Sequence, residues 1–167
     1  AIHRVFDTSR DRLVFDVGHQ CYIHKMLTGR REEMAGLRQY GGIAGFPKPG
    51  ESVHDAFIAG HASNSVAVAV GMVQARAALG QDYQVATLIG DGALTGGLAY
   101  EGLSNGGQCG QQLLVILNDN GMSIDRNVGA VARHLAQQRL KPQYLSFKQG
   151  YRRFMGATWL GRKIYRM

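Results

Sequence analysis

Two short, unbroken apolar runs dominate the hydrophobic pattern of the chain. Val85-Ala86-Thr87-Leu88-Ile89 and Leu113-Leu114-Val115-Ile116-Leu117 each read as a strand. Neither alternates polar with apolar, the pattern expected where both faces of a parallel sheet are covered. Between them, Leu94 to Ser104 carries Leu98 and Leu103 and predicts a helix. Strand, helix and strand at this spacing form a βαβ unit, parallel by default. Upstream, Leu13–Val17 predicts another strand, closed by Gly18-His19. Ser63-Asn64-Ser65 offers capping residues for a helix through Val66, Val70, Val73 and Ala77 to Gly80, and its small residues suit close burial. Residues 30–41 are charged and mixed and predict a surface helix ending at Gly41-Gly42, and Ile43 to Ser52 is a proline- and glycine-bearing loop. The class is α/β, a parallel sheet flanked by helices, with neither internal repeat nor low-complexity segment.

Length and composition narrow this picture. At 167 residues and 45% hydrophobic, the chain has one domain's worth of length and a real core, not a disordered tail. No run of 18 apolar residues exists for a membrane helix, and the start has no secretory signal. The chain opens on Ala1 rather than Met, so the first residues of a longer chain are expected to be absent. Cys21 and Cys109 read as reduced structural thiols of a cytoplasmic protein. The 23 glycines, about twice the usual share, punctuate the apolar segments as turns do.

Charge is lopsided. Residues 1–125 carry 9 Lys and Arg against 12 Asp and Glu, whereas residues 126–167 carry 10 Lys and Arg and no acid. The chain divides accordingly into a partial α/β core (1–125) and a basic helical extension of the same domain (126–167). In that extension Tyr144, Phe147, Tyr151 and Phe154 recur at three- and four-residue steps, as on an amphipathic helix. A helix with a basic outer face, packed on its parent, accounts for the tail better than a nucleic-acid patch, because it has no zinc-finger spacing and no aromatic RNA-binding motif.

Candidate chemistry gathers after the two apolar strands. Asp91, within Gly90-Asp91-Gly92, and Asn120, within Asn118-Asp119-Asn120, each follow a strand of one βαβ unit. Ligands of open parallel sheets sit beyond the carboxyl ends of strands. A carboxylate and an amide oxygen are hard donors suited to Mg²⁺ or Ca²⁺, and Mg²⁺ fills its remaining positions with water and phosphate oxygens. Flanking glycines let backbone N–H groups approach a phosphate, and a following helix offers a positive N-terminus. The residues therefore predict a metal-bridged diphosphate at this sheet edge. Neither GxxxxGK[ST] nor GxGxxG occurs, so nucleoside triphosphates and dinucleotides lack their usual motifs.

Gly90-Asp91-Gly92 followed by Asn118-Asp119-Asn120 resembles the thiamine-diphosphate motif. Asp16-Val17-Gly18-His19-Gln20, His24-Lys25, Leu27-Thr28-Gly29-Arg30, Gly60-His61, Ile89–Ala93, Ile116–Asn120 and His134-Leu135-Ala136-Gln137, in that order, resemble 1-deoxy-D-xylulose-5-phosphate synthases. The resemblance implies a transketolase-like fold, incomplete here, and a homodimer when complete. It implies that Asp91 and Asn120 bind Mg²⁺ by side chain and Met122 by its carbonyl. Gly92, Ala93 and Asn120 contact the diphosphate of thiamine diphosphate, and Gly60, His61 and Ala62 line the cofactor pocket. His19 points toward the reacting centre, so His19 and His61 are the candidate catalytic residues. His3, His24, His54 and His134 read as structural, and Lys25 and Arg30 either steer phosphate or form solvated surface. The family joins pyruvate, after loss of CO₂, to glyceraldehyde 3-phosphate, feeding isoprenoid, thiamine and pyridoxal synthesis.

The match covers part of the family's first domain only. The pyrimidine-binding domain, with its cofactor-activating glutamate, is not in it, so the isolated stretch is expected to have no turnover. Ala62 stands where the family often has a hydroxyl residue, and Gly121 stands where other members can have a larger side chain. Two other readings stay open: a diphosphate-binding subunit of a split transketolase-like enzyme needing a partner chain, and a basic non-catalytic interaction module.

Overall fold

A computed structural model describes residues 1–119 and, beyond them, residues 129, 130, 133, 134 and 137. The chain divides into two compact units, Ala1–Asn127 and Val128–Met167, and every element below belongs to the first. The expected helix bearing Tyr144, Phe147, Tyr151 and Phe154 lies outside the described residues.

Three strands, β1 (Arg12–Phe15), β2 (Val85–Gly90) and β3 (Leu114–Asn118), form one sheet in the order β1-β2-β3. Both pairings are parallel, Leu13 opposite Ala86 in one and Leu88 opposite Ile116 in the other. Helix α1 (Tyr22–Lys25) follows β1, α2 (Ser65–Ala78) precedes β2, and α3 (Gly97–Gln108) links β2 to β3. The predicted α/β class and βαβ unit are both present.

The register explains the core. Side chains alternate across a strand. Leu13 and Phe15 therefore join Ala86 and Cys21 on one face, with Ile2, Phe6, Tyr22 and Leu88 packed around them. Val14 and Val85 turn to the other face and meet Ala69 and Val73 of α2. Val66, Val73 and Ile89 are fully buried, each contributing about 1.5–3 kcal/mol. Gly102 of α3 lets α2 approach closely: a Cβ there would stand 2.8 Å from the Ala67 nitrogen. Among the described residues, no helix is long and apolar enough to cross a membrane.

Four expectations need correction. β3 is not covered on both faces, since Leu114 and Leu117 remain 45% and 37% exposed on a strand that, among the described residues, pairs with β2 alone. The helix predicted from Leu94 starts at Gly97, because a 3-10 turn (Ala93–Thr95) and an extended Gly96 (ψ 145°) intervene. No continuous helix spans residues 30–41. A π turn (Met26–Arg30), broken at Thr28 and Gly29, leads into a 3-10 turn (Glu32–Gly36). The chain then doubles back, the Arg38 N–H donating to the Ile43 carbonyl at 2.9 Å. Finally, the side chain of Asn64 does not cap α2; a distant carboxylate does.

Candidate functional site

That carboxylate is Asp16, one residue past β1 and 1% exposed. Its Oδ1 accepts the Ser63 N–H at 2.8 Å and its Oδ2 the Ser65 N–H at 3.1 Å. The α2 N-terminus thus gets its cap from a residue 49 positions upstream. The next residue, Val17, donates its N–H to the His61 carbonyl at 3.2 Å. Ser63 in turn accepts the Ala99 N–H of α3 on its Oγ at 2.9 Å. The carboxyl end of β1, the Gly60–Ser63 loop and the first turn of α3 are therefore tied together.

The backbone here is strained. Val17 and Ser63 hold φ of 57° and 73°, outside the usual range for residues with a Cβ. Each such residue costs about 1–3 kcal/mol and persists only where its surroundings over-determine it. Gly18 and Gly60 hold φ of 94° and 140°, and a Cβ on Gly18 would stand 2.7 Å from Pro47 Cδ and 2.9 Å from Ala59 Cβ. Gly18→Ala is expected to lower unfolding free energy by about 1–3 kcal/mol through overpacking, read by urea denaturation. An unchanged midpoint would contradict it.

The candidate residues take their places on this rim. His19 lies on the turn after β1, and His61 and Ala62 on the loop before α2, all three exposed. The Val17–His61 bond brings the two histidine-bearing segments together. Asp91 directly follows β2 and is 7% exposed. Gly90 pairs with Asn118, so Asp91 and Asp119 leave neighbouring strands at the same level. Gly92 and Ala93 open the 3-10 turn, with Thr95 Oγ1 donating to the Gly92 carbonyl at 2.7 Å. They stand at the start of that short turn, not at the α3 N-terminus. Asn120 and Met122 lie outside the described residues. Among the described residues, no group of three or more His, Cys, Asp and Glu side chains gathers to hold a metal.

A family model described as 1-deoxy-D-xylulose-5-phosphate synthase matches residues 1–167. The chain belongs to the 1-deoxy-D-xylulose-5-phosphate synthase family. A synthase of that name from Pelotomaculum thermopropionicum is 47% identical over 166 residues, 99% of this chain and 26% of that protein. One from Syntrophomonas wolfei is 54% identical over 149 residues, 89% of this chain and 23% of that protein. One from Porphyromonas gingivalis is 58% identical over 135 residues, 81% and 21% respectively. The chain spans about a quarter of the length of the curated relatives it matches.

Two motifs shared with the synthase family turn inward instead of toward a ligand. Lys25 was expected to steer phosphate or face solvent, yet it is fully buried and donates to Glu51 Oε2 at 2.6 Å. Arg30, 4% exposed, grips Asp55 with two hydrogen bonds of 2.7 and 2.8 Å. His24 stands 3.1 Å from Asp55 and 3.0 Å from the His3 ring. Burial pushes the Asp55 carboxyl up, but Arg30, His24 and the Lys48 N–H outweigh it and hold the group well below the usual carboxylate range. Burial, and then the neighbouring His24 and His54, push His3 down. These charges fix the loop that covers α1; buried charges need such partners.

Sequence reasoning missed Asp16 and Ser63 as organisers of the rim. The available signal was an acid at the end of a predicted strand, directly before a turn containing Gly18. Cys21 follows the expectation of an inert core thiol: it is unpaired and buried, and burial pushes its pKa up to about 11.

Proposed function

We propose that these residues form the metal and diphosphate anchor of a thiamine-diphosphate-dependent transferase that makes 1-deoxy-D-xylulose 5-phosphate. The observation that carries this reading is the buried Asp91 carboxylate at the end of β2, level with the end of β3, in a chain of the synthase family. The local chemistry fits the group. A hard divalent ion takes carboxylate oxygens and fills its shell with phosphate and water. A Cβ placed on Gly90 meets nothing within 4 Å, so the carboxyl end of β2 has open space beside its backbone.

On this reading Asp91 and Asn120 hold Mg²⁺ by side chain and Met122 holds it by its carbonyl. Gly92, Ala93 and Asn120 contact the diphosphate, Gly60, His61 and Ala62 line the pocket, and His19 faces the reacting centre. Thiamine diphosphate, when bound, supplies the electron sink for the carbanion chemistry. In the net reaction pyruvate loses its carboxyl carbon as CO₂, the electron pair left behind forms the new bond to the aldehyde carbon of glyceraldehyde 3-phosphate, and the aldehyde oxygen, its π bond broken, takes up a proton to become a hydroxyl. The task of the chain's own residues is to orient the cofactor and exclude water. His19 and His61 can each donate or accept a proton near neutral pH. The product serves isoprenoid, thiamine and pyridoxal supply. We assign the complete enzyme to the cytoplasm as a homodimer, with residues 126–167 a basic extension of the same domain.

Calorimetric titration of the chain with thiamine diphosphate tests the reading. Saturable binding that requires Mg²⁺ is expected, and Mg²⁺-independent binding or none would contradict it. The same sample, given pyruvate and glyceraldehyde 3-phosphate, is expected to form no product, because the anchor is one part of the machinery. Turnover by these 167 residues would overturn that expectation.

A further inference from the structure

We infer that Asp16 is a positioning residue, which sets the loop carrying His61 and, through Ser63, the first turn of α3 that follows Gly-Asp-Gly. Its consequence for cofactor binding rests on the function proposed above; the clamp itself does not.

The argument is geometric. Asp16 is 1% exposed, and each of its two carboxylate oxygens accepts one backbone N–H, from Ser63 at 2.8 Å and from Ser65 at 3.1 Å. The two flanking peptide groups are also engaged. The Asp16 carbonyl accepts a hydrogen bond from Gln20 Nε2 at 3.1 Å, and the N–H of Val17 reaches the His61 carbonyl at 3.2 Å. His19 lies between Val17 and Gln20, so both ends of its turn are referenced to Asp16. Ser63 then carries the constraint onward, its Oγ accepting the Ala99 N–H at 2.9 Å. A Cβ on Gly96 would stand 2.3 Å from that same Oγ, so loop and helix start are in close contact.

Helix capping alone does not need this arrangement. An ordinary cap satisfies N–H groups of its own helix from the residue just before it. Here the acceptor comes from the end of a strand. It holds Ser63, outside the helix, at a φ of 73° beside Val17 at 57°. Two strained residues, one on each segment, flank this link: Ser63 donates its N–H to the Asp16 carboxylate, and Val17 follows Asp16 in the chain and donates its N–H to the His61 carbonyl. The clamp requires both oxygens to accept. An amide of the same shape offers one oxygen and one NH₂ group, and the NH₂ group opposes one of the two N–H donors.

Asp16→Asn is the test. Hydrogen exchange at the Ser63, Ser65 and Ala99 amides is expected to quicken at least about tenfold, while Val14 and Thr87, inside the sheet, keep their rates. Mg²⁺–thiamine diphosphate affinity is expected to fall about tenfold or more. A uniform rise across the sheet, no change at Ser63, or an altered exchange pattern with unaltered affinity would each overturn the inference. If the parent chain binds no thiamine diphosphate, the proposed function fails, and the exchange pattern alone decides the clamp. If Asp16→Asn does not fold, the parent chain decides. The Ser63 and Ser65 amides must be protected from hydrogen exchange there, and exchange at the rate of an unstructured peptide would overturn the inference.

Discussion

Asp91→Ala is expected to remove Mg²⁺-dependent binding of thiamine diphosphate, weakening it by at least about 100-fold, roughly 2.7 kcal/mol. The reason lies in the donor set. Mg²⁺ takes only one or two carboxylates from a protein, so losing one removes much of the protein's share of the coordination shell. Without the ion, diphosphate and protein lose the charge that joins them. Backbone bonds hold the elements on either side of Asp91: β2 ends at Gly90, and the 3-10 turn is held by bonds to the Gly92 and Ala93 carbonyls. The variant should therefore keep its far-ultraviolet circular dichroism while titration calorimetry loses its signal. Asp91→Asn, which keeps an oxygen donor but not the charge, is expected to fall between the two. Parent-like affinity in Asp91→Ala would remove Asp91 from the anchor.

Asp55→Ala is expected to act on stability, and severely. Asp55 is 2% exposed and accepts two bonds from Arg30, with His24 at 3.1 Å and the Lys48 N–H at 2.9 Å. Removing one partner of a buried pair leaves the other charge uncompensated, at about 3–5 kcal/mol. A domain of this size has about 5–15 kcal/mol in total, so chemical denaturation should find the variant without a large fraction of the parent's stability. The exposed pair Arg10–Asp82, with side chains 63% and 89% exposed, is the internal comparison. Its removal by Asp82→Ala should cost at most about 1 kcal/mol. Equal costs for the two variants would contradict the account.

The same network sets the response to acid. A carboxyl whose folded pKa is depressed contributes stability above its unfolded value and loses it as pH falls toward the folded one. Asp55 and Glu51 are both shifted downward, as the hydrogen bonds from Arg30 and Lys25 outweigh burial. His3, also depressed, acts in the same direction, because its protonation favours the unfolded chain. The parent chain should therefore begin to lose stability below about pH 6.5, as His3 protonates in the unfolded chain, and lose more below about pH 4.5, where Glu51 and Asp55 follow; a pH series of urea midpoints reads both steps.

Much of the fold was legible in the chain. Val85–Ile89 and Leu113–Leu117 are strong signals because every position is apolar or β-branched, and the structure places strands over them within a residue. Helix α2 was legible for a related reason: small residues recur at helical spacing over 14 positions. The start of α3 was not legible because the apolar spacing begins at Leu94, ahead of Gly96-Gly97. Adjacent glycines permit the extended break seen there. Exposure on β3 was not legible, because an apolar run specifies that a strand is coverable, not what covers it.

The site divides along the same line. Asp91 and the glycines beside it are local in sequence, so a short pattern is enough to nominate them. Asp16, Lys25 and Arg30 depend on partners 49, 26 and 25 residues away. Before folding, such residues look like ordinary surface charges, since composition carries no information on which acid meets which base. The buried pairing of His24 and Arg30 with Asp55 is a tertiary fact. A hint was present, however, in the acids Glu51 and Asp55 bracketing the loop after Pro47 and Pro49.

The central claim is that Asp91 and Asn120 share one divalent ion with a diphosphate group, and Mn²⁺ in place of Mg²⁺ tests it most directly. With thiamine diphosphate present, paramagnetic broadening should strike the Asp91 carboxyl carbon, the Asn120 side-chain amide and both phosphorus signals together. Broadening of the phosphorus signals with either side chain untouched would contradict the account.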